Sequence, residues 1–194
     1  MRKDITRSLI TIVVATALLG FVYPAVMVLV GQVAFNNAAN GSLIKQNGKV
    51  IGSKLAAQGF TGPQYFHPRP SATAPAYNAD GTTFSNLGPN SKALQSAVQA
   101  NLKAVLKLEG PYNPGLTAKG VPVDAVTTSA SGIDPDISKA YANLQAPRIA
   151  AVRHLSLSTV HNLINAHTDG RFLGFFGEPG VNVLELNLAL DGMH

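Results

Sequence analysis

The chain has 194 residues, of which 13% are charged, about half the share that is usual in soluble proteins. Its formal net charge is +5, but the lysines and arginines are dispersed without a stripe or cluster, which argues against nucleic-acid binding. It has no cysteine, which excludes a disulfide framework, a thiolate metal site and a cysteine nucleophile. Asn, Ser, Thr and Gln supply most of the polarity, which suits a surface that a partner protein covers.

The N-terminal part of the chain is dominated by one apolar run. Residues 9–35 read LITIVVATALLGFVYPAVMVLVGQVAF and contain no charge. An α-helix of this length is long enough to cross a hydrocarbon core of about 30 Å. A cleavable signal peptide would have a shorter apolar core, of roughly 7–15 residues, and a small-residue cleavage site, which the following VAFNNAANG does not offer. We therefore predict a cytoplasmic N-terminus at residues 1–8 and an uncleaved transmembrane helix at residues 9–35.

Charges beside this run predict its orientation. The basic residues directly before it are Arg2, Lys3 and Arg7. Three lysines follow at a greater distance, so a wide count is balanced, whereas proximity favours a cytoplasmic N-terminus. We predict a single-pass protein with a polar linker at residues 36–48 and an extracytoplasmic domain at residues 49–194.

Four residues inside the run predict packing against another membrane protein. Pro24 has no N–H and crowds the carbonyl of Gly20, so that this acceptor needs another partner within the membrane. Tyr23 lies near the middle of the run, away from the interfaces where tyrosine is usual, and its hydroxyl needs a partner too. Thr16 and Gly20 form a pair of small residues that permits close helix approach. The alternative is a kinked helix that faces lipid, with Tyr23 reaching toward the interface.

The remaining sequence predicts a small α+β domain with mixed helices and strands. Residues 60–90 are rich in Gly, Pro, Asn and Thr, which favours turns and extended backbone over regular structure. At residues 182–190 the leucines alternate, which favours a strand, although a buried helix is also possible. The predicted elements are a helix from Ser91 to about Leu108, a strand at 121–128, a helix at 139–145 capped by Asp136 or Ser138, a helix from Pro147 to about His154, a helix from Ser156 or Ser158 to about His167, and the strand or buried helix at 182–190.

Histidines and aspartates provide no strong metal-binding pattern. His161 and His167 are six residues apart on a predicted helix, which places them far from a common face. Asp134 and Asp136 could supply oxygen ligands to Ca²⁺, but Ile137 breaks the alternation that a calcium loop needs. Carboxylates at the start of a helix explain both aspartates better. We predict no metal site.

Catalytic and nucleotide-binding motifs are equally weak. Ser129 and Ser131 lack a G-x-S-x-G elbow, although members of a catalytic triad need not be close in sequence. The glycine-rich stretch GRFLGFFGEPG at residues 170–180 lacks the context of a phosphate-binding loop and predicts a turn or hinge. We predict no catalytic residue and no cofactor held by a motif of this chain alone.

The segment Gln64–Asn78, QYFHPRPSATAPAYN, concentrates aromatic and charged side chains among prolines. Its prolines bias the preceding residues toward extended backbone, so that Tyr65, His67 and Arg69 share one orientation and Phe66 takes the other. A stiff segment that displays Tyr, His and Arg loses little entropy on docking, which predicts partner binding through these three residues. The alternative, compatible with the first, is an arm folded over its own domain with Phe66 in the core.

Several of these stretches occur together, in order, in one known family. They are Tyr23-Pro24, NGSLI (40–44), FTG (60–62), YFHPRPSAT (65–73), SNLGP (85–89), VTTSASGIDPDIS (126–138), APRIAAVR (146–153) and GEPGVNVLELNLALD (177–191). Over essentially its whole length the chain resembles the C subunits of the bacterial Kdp potassium-transporting P-type ATPase. It departs from the family pattern at Pro68, where Gly is usual, and at Thr83-Phe84, which replaces a Gly-Gly pair.

The resemblance implies a non-catalytic accessory subunit of a high-affinity, ATP-driven potassium importer in the bacterial inner membrane. It implies three partners, namely a channel-like A subunit, an ATP-hydrolysing B subunit and a small single-span subunit. It further implies a role in stabilising assembly and a role as a catalytic chaperone that raises the ATP affinity of the B subunit, with ATP shared between the two. An extracytoplasmic domain favours the first role, because ATP is cytoplasmic. The alternatives are a membrane-anchored envelope hydrolase and a solute-binding module.

Overall fold

The computed structural model describes residues 2–193, and the chain divides into two compact units after Leu43. The first unit is helical. Its elements are α1 (Arg2–Ala17), a π-helical turn (Leu18–Val22), α2 (Tyr23–Ala34) and α3 (Asn36–Ala39). The continuous helical stretch Arg2–Ala34 is long and apolar enough to cross a membrane, which fits a single-pass protein.

Pro24 explains the π-helical turn. It has no N–H to donate, and the backbone N–H of Tyr23 bonds the carbonyl of Leu18, five residues back, where an α-helix would reach four. Past the apolar stretch, the side-chain amide of Gln32 accepts hydrogen bonds from Asn36 at 2.9 Å and Asn40 at 3.1 Å. These amide contacts hold the short helix α3 to the end of α2.

The second unit, which we name the C-terminal unit (residues 44–193), is a mixed helix and strand domain, so the predicted α+β class is confirmed. Its elements, with Leu43 opening the first strand, are β1 (Leu43–Gln46), β2 (Lys49–Ser53), α4 (Lys92–Glu109), β3 (Asp136–Ser138), α5 (Lys139–Arg153), α6 (Leu157–Ala166), β4 (Thr168–Asp169), β5 (Gly180–Asn182) and α7 (Val183–Asp191), with 3₁₀ turns at Ala79–Gly81, Gly110–Tyr112, Ala118–Gly120 and Val123–Ala125.

Two small sheets accompany the helices. β1 and β2 form a two-stranded sheet, and β5 lies between β3 and β4 in a three-stranded antiparallel sheet. Ile137 of β3 pairs with Val181 of β5, which in turn pairs with Thr168 of β4. Ile137 and Val181 are both buried, so the register of this sheet places its apolar face against the core.

Helices α5, α6 and α7 build the core through residues three or four positions apart. Such residues lie on one face of a helix, and here they are almost fully shielded from solvent. The central buried side chains are Ala142, Ala146 and Ile149 of α5, Val160 and Ile164 of α6, and Leu186 and Leu190 of α7. Phe66, from the long loop between β2 and α4, completes this cluster.

Serine caps confirm three predicted helix starts. Ser91 accepts a hydrogen bond from the N–H of Leu94, Ser138 from that of Tyr141 and Ser156 from that of Thr159. Each bond satisfies one of the backbone donors that the first turn of a helix leaves free. Where the sequence left a choice of cap, the structure selects Ser138 and Ser156.

The run at residues 182–190 is a helix, so the preferred strand prediction is wrong and the buried helix is correct. Asn182 caps α7 by accepting the N–H of Glu185 at 3.1 Å, and leucine is a strong helix former. Leu186 and Leu190, four residues apart, are buried on the same face. An Asn followed three residues later by a Glu resembles a capping box, and this signal could have decided between the two.

Two further predictions in the middle of the chain are wrong. Residues 121–128 contain the 3₁₀ turn Val123–Ala125 in place of a strand. Pro122 has no N–H to donate to a neighbouring strand. The carboxylate of Asp124 accepts hydrogen bonds from the N–H of Ser138 at 2.7 Å and from its hydroxyl at 2.9 Å. Pro147 does not start a new helix but lies inside α5.

Helix α5 tolerates Pro147 for two reasons. The carbonyl that would have bonded the missing N–H belongs to Asn143, which is exposed to water. The neighbouring carbonyl of Leu144 accepts the side-chain amide of Asn113 at 3.1 Å. The proline therefore leaves one acceptor on an exposed residue and one bonded to Asn113, and the helix continues to Arg153.

Candidate functional site

The four predicted contact residues of the N-terminal helix lie around the π-helical turn. A Cβ added to Gly20 would be 3.9 Å from the side chain of Thr16, so the two small residues lie one above the other. Tyr23 is 58% exposed, and its hydroxyl has no hydrogen-bond partner among residues 2–193. Thr16, Gly20, Tyr23 and Pro24 thus leave one stretch of the helix open for close approach. Their contact with a partner stays a prediction.

The segment Gln64–Asn78 is folded over its own unit, with Phe66 fully buried in the core. The side-chain amide of Asn187, on α7, accepts the N–H of Phe66 at 2.8 Å and donates to its carbonyl at 2.9 Å. Asn187 is itself buried. One amide therefore satisfies both backbone groups of Phe66, as a neighbouring strand would.

Gln145 repeats this arrangement one residue further on. Its side-chain amide, projecting from α5, accepts the N–H of His67 at 2.8 Å and donates to the carbonyl of His67 at 3.0 Å. Gln145 is also fully buried. Two helices thus hold two consecutive residues of an extended segment through side-chain amides. We name Asn187 and Gln145 the amide clamps.

Arg148 is the centre of the contacts beneath the segment. Its side chain is fully buried and pairs with Glu109 of α4 through an Nε–Oε1 contact of 2.9 Å. It also donates to the carbonyls of Pro63 and Tyr65, the latter at 2.9 Å, and to Gln145 at 2.9 Å. One guanidinium therefore joins α4, α5 and the loop, using the fork of donors that only arginine offers.

Glu109 pairs with Arg148 at a cost in desolvation. Burial raises the pKa of the Glu109 carboxyl, and the positive charge of Arg148 opposes that shift. Its second oxygen, Oε2, is buried with no hydrogen-bond partner among the described residues. The pair therefore depends on Arg148, because a buried carboxylate without a counter-ion is strongly unfavourable.

Tyr65 is held at the edge of the unit. Its hydroxyl donates to Oδ2 of Asp191 at 3.1 Å, and the guanidinium of Arg153 lies 5.1 Å from the centre of its ring. Arg153 also donates to Asp191 at 2.6 Å and to the carbonyl of Gln64 at 2.8 Å. The ring of Phe60 is 5.3 Å away on the loop side. Tyr65 is thus half-buried and fixed in position.

Arg69 holds the middle of the segment. It donates to Oδ2 of Asp134 at 2.9 Å and to the carbonyl of Thr128 at 3.2 Å, while its own carbonyl accepts the hydroxyl of Tyr77 at 3.0 Å. Asp134, one of the two aspartates weighed as calcium ligands, therefore forms an ion pair within the unit. Its other oxygen accepts the N–H of Asp136, a local turn that explains the spacing of the two residues.

The side chain of His67 borders a cleft of about 260 Å³ together with Tyr77, Asn101 and Tyr141. Its Nε2 lies 3.0 Å from the carbonyl of Gly62. Burial lowers the pKa of His67, and Arg148 contributes in the same direction while the contact with Gly62 opposes it. A neutral imidazole that donates from Nε2 fits this geometry.

The serines singled out by sequence act in turns. Ser129 Oγ accepts the N–H of Gly132 at 2.9 Å, and Ser131 Oγ accepts that of Ile133 at 3.2 Å. Across residues 2–193, neither hydroxyl bonds a histidine, and no group of three metal-ligating side chains is close enough to hold an ion. These residues explain local backbone geometry and supply no base for a nucleophile.

Comparison with known proteins decides the family. Residues 5–192 match the family described as K⁺-transporting ATPase, c chain. The chain belongs to this family. It is 51% identical over 193 residues to the potassium-transporting ATPase KdpC subunit of Paraburkholderia phytofirmans, with 98% of each chain covered. It is 49% identical to that of Methylococcus capsulatus, with 96% of each covered, and 48% identical to that of Mycobacterium tuberculosis, with 98% of this chain and 99% of the relative covered.

The family assignment confirms the resemblance that the motifs carried, and the structure explains several of those motifs. APRIAAVR contains Arg148 and Arg153, and GEPGVNVLELNLALD contains Asn187 and Asp191. Sequence reasoning missed these four residues and Gln145. A signal was present, since Gln145 and Arg148 interrupt the apolar face of α5, where a polar residue must find a partner.

Tyr65, His67 and Arg69 each have partners in their own unit. This arrangement is the folded arm considered for the sequence, with Phe66 in the core. All three side chains remain half-buried, so part of each still faces outward. Their role in partner binding stays a prediction.

Proposed function

We propose that this chain is a non-catalytic accessory subunit of a potassium-transporting P-type ATPase, and that it stabilises assembly of the transport subunit and the ATP-hydrolysing subunit. The observation that carries the proposal is the extent of the family match, which at residues 5–192 includes most of the N-terminal helix and nearly all of the C-terminal unit. Relatives that share both parts are named as KdpC subunits of such an ATPase. An accessory role fits a protein whose buried polar residues hold its own loop in place.

The proposed assembly uses two surfaces. In the membrane helix, Thr16 and Gly20 permit close approach and Tyr23 offers an exposed hydroxyl. In the C-terminal unit, the clamped segment presents the half-buried Tyr65 and Arg69. Because the amide clamps fix its backbone before binding, docking of this segment costs little conformational entropy.

We further propose that the C-terminal unit lies outside the cytoplasm and acts on the transport subunit. The basic residues before the membrane helix support this orientation. A chaperone effect on the ATP affinity of the other subunit then operates through the membrane. The opposite orientation would favour direct assistance with nucleotide, and the chain's lack of cysteine makes the two easy to separate.

Retention in the complex tests the helix surface. We expect Tyr23→Leu combined with Pro24→Ala to reduce co-purification with the transport subunit, whereas Val33→Ala, at another exposed position of the helix, leaves it unchanged. Normal complex yield and normal growth at limiting potassium in the double variant would contradict the proposed helix contact.

The segment surface requires a control for its internal contacts. Tyr65→Ala and Arg69→Ala remove side chains that also bond Asp191 and Asp134, so a loss of docking could come from a loosened loop. Asp191→Asn and Asp134→Asn weaken the same internal contacts but keep the displayed side chains. We expect the alanine variants alone to reduce docking, and equal losses in both sets would refute a direct contact.

Orientation is tested with one cysteine at the exposed position Asn90, in the otherwise cysteine-free chain co-expressed with its partners. A membrane-impermeant maleimide applied to intact cells should label Asn90→Cys, with lysed cells as the control for accessibility. Labelling only after lysis would contradict the extracytoplasmic placement.

A further inference from the structure

The turn between β4 and β5 carries a compact apolar tip that no feature described so far explains. The apolar tip consists of Phe172, Leu173, Phe175 and Phe176, which are 71%, 70%, 65% and 55% exposed. With Phe and Leu side chains of this size, the tip exposes roughly 500 Å² of apolar surface. A contiguous patch of this size on a protein marks a binding surface for a protein or a membrane.

The backbone presents these side chains in a fixed arrangement. Phe172 and Phe176 exchange hydrogen bonds of 2.9 and 3.0 Å, and between them Leu173 and Gly174 have φ of 54° and 83°. A leucine in the left-handed region is unusual, so the turn holds Leu173 in a backbone conformation that its side chain disfavours. The rings of Phe175 and Phe176 lie 4.1 Å apart.

Charge is confined to the base of the tip. Arg171 contacts both carboxylate oxygens of Glu178 at 2.8 Å, and the six residues between them, FLGFFG, have neither a charge nor a polar side chain. The ion pair closes the turn and leaves the tip itself neutral. No side chain of the tip can donate or accept a hydrogen bond.

We propose that the apolar tip inserts into the interface of the lipid bilayer and forms a second membrane attachment of the chain. The occupant follows from area and chemistry. A stable protein interface buries about 800 Å² on each partner and includes about one hydrogen bond per 100–200 Å², and the tip supplies neither. To be buried in a bilayer, Phe and Leu side chains at the end of a narrow turn need only reach the acyl chains, and they need no partner surface of complementary shape.

The short connection between the N-terminal helix and the C-terminal unit favours this attachment. The membrane helix ends at Ala34, and residues 35–43, which include α3, span less than the roughly 30 Å of a fully extended chain of that length. A tether of this length would raise the effective concentration of the C-terminal unit at a bilayer that holds the N-terminal helix, so that a weak second contact could form. The proposal depends on the membrane helix and not on assembly with other subunits, so it can fail independently of the proposed function.

The experiment uses the full chain, which contains no tryptophan, in vesicles of phosphatidylcholine and phosphatidylglycerol. Phe175→Trp places a fluorescent reporter in the tip, and Phe84→Trp places a control reporter at an exposed position of the long loop. We expect acyl-chain-brominated lipids to quench the tip reporter at least roughly twofold and to leave the control reporter unquenched, because interfacial insertion reaches the upper acyl chains.

A second substitution places a charge in the apolar tip at a position whose backbone conformation the new residue tolerates. Leu173→Asp places a residue that tolerates positive φ at that position, and we expect it to abolish quenching of the Phe175→Trp reporter. Val123→Asp, at an isolated exposed position, is the matched control and should leave quenching intact.

Three results would overturn the proposal. One is a tip reporter that is unquenched in the vesicles. Another is emission that shifts to the blue without bromine quenching, which indicates burial against protein, including a second copy of this chain. The third is quenching for the isolated chain that disappears when the complete ATPase complex is reconstituted, because a partner subunit then covers the tip.

Discussion

Arg148 should be the most sensitive position of the C-terminal unit. Arg148→Met replaces the guanidinium with a shorter, unbranched apolar side chain, which removes the partner of the buried Glu109 and the donor to the carbonyl of Tyr65. Breaking a buried ion pair from one side costs about 3–5 kcal/mol, because the remaining charge stays unpaired. Since a whole domain is stable by only about 5–15 kcal/mol, we expect Arg148→Met to leave the unit marginally folded.

The stability that the chain loses in Arg148→Met should depend on pH. Burial already raises the pKa of Glu109 in the folded chain, and Arg148 is the group that opposes this rise. Without Arg148 the folded state favours protonated Glu109 still more. The stability of Arg148→Met is then greatest below the unfolded pKa of a glutamate and falls as the pH rises through the raised folded pKa. The variant should therefore be less stable near neutral pH than in mild acid.

A double variant separates charge from packing. In Glu109→Gln combined with Arg148→Met the buried carboxylate is gone, so we expect higher stability than in Arg148→Met alone and no dependence on pH from this site. The measurement is urea unfolding of the full chain in detergent, followed by circular dichroism at several pH values. A loss below about 1 kcal/mol for Arg148→Met, or a double variant whose loss equals the sum of the two single losses, would refute the argument.

Two further outcomes follow from the loop. Because burial lowers the pKa of His67, the folded state favours the neutral ring, and the stability that this contributes is lost as pH falls below the usual histidine value. His67→Gln should show a smaller drop in melting temperature between about pH 7 and about pH 5 than the unmodified chain, and an identical drop would contradict it. Gly132 has φ of 73°, and a Cβ there would lie 2.7 Å from the carbonyl oxygen of Thr83. Gly132→Ala should cost about 2–4 kcal/mol in urea unfolding, whereas the control Gly88→Ala, with open space around it, should change little, and equal effects would contradict the steric reason.

Local signals in the sequence sufficed for the helices that begin with a serine cap. Ser91 and Ser156 each precede an amphipathic run; Ser91 forms the predicted cap, and Ser156 is one of the two caps that the sequence allowed. The cap and the periodicity act within a few residues, so both are readable from the chain alone. The apolar N-terminal run is local in the same sense, since its length and composition suffice to predict a helix that could cross a membrane.

Predictions failed where a local pattern supported two structures. The alternating leucines of residues 182–190 fit a strand or a buried helix, and α7 forms because Asn187 and Leu186 are used by distant parts of the chain. Pro147 favoured a helix start, yet the neighbouring carbonyl of Leu144 accepts a hydrogen bond from Asn113, thirty-one residues away in sequence. Such partners are fixed by the tertiary fold, which no short window contains.

The segment Gln64–Asn78 stands out in the sequence, but its contacts within the unit could not be predicted. Prolines and aromatic residues marked the segment Gln64–Asn78, whereas its clamps, Asn187 and Gln145, lie 121 and 78 residues further along the chain. Side-chain amides pair with an extended backbone without a sequence spacing that could reveal them. Only the presence of buried polar residue types in apolar helices indicated that something had to be satisfied there.

The polar interior beneath the segment explains why the arm and the docking surface need not be alternatives. An apolar core could bury Phe66 equally well, but it would leave the backbone groups of Phe66, His67 and Tyr65 without partners, and the segment would slide or detach. Asn187, Gln145 and Arg148 each bond specific backbone atoms, so they select one register of the segment at some cost in desolvation. A segment held in one register presents Tyr65 and Arg69 at fixed positions, and that is the condition under which a short, half-buried surface can bind a partner selectively.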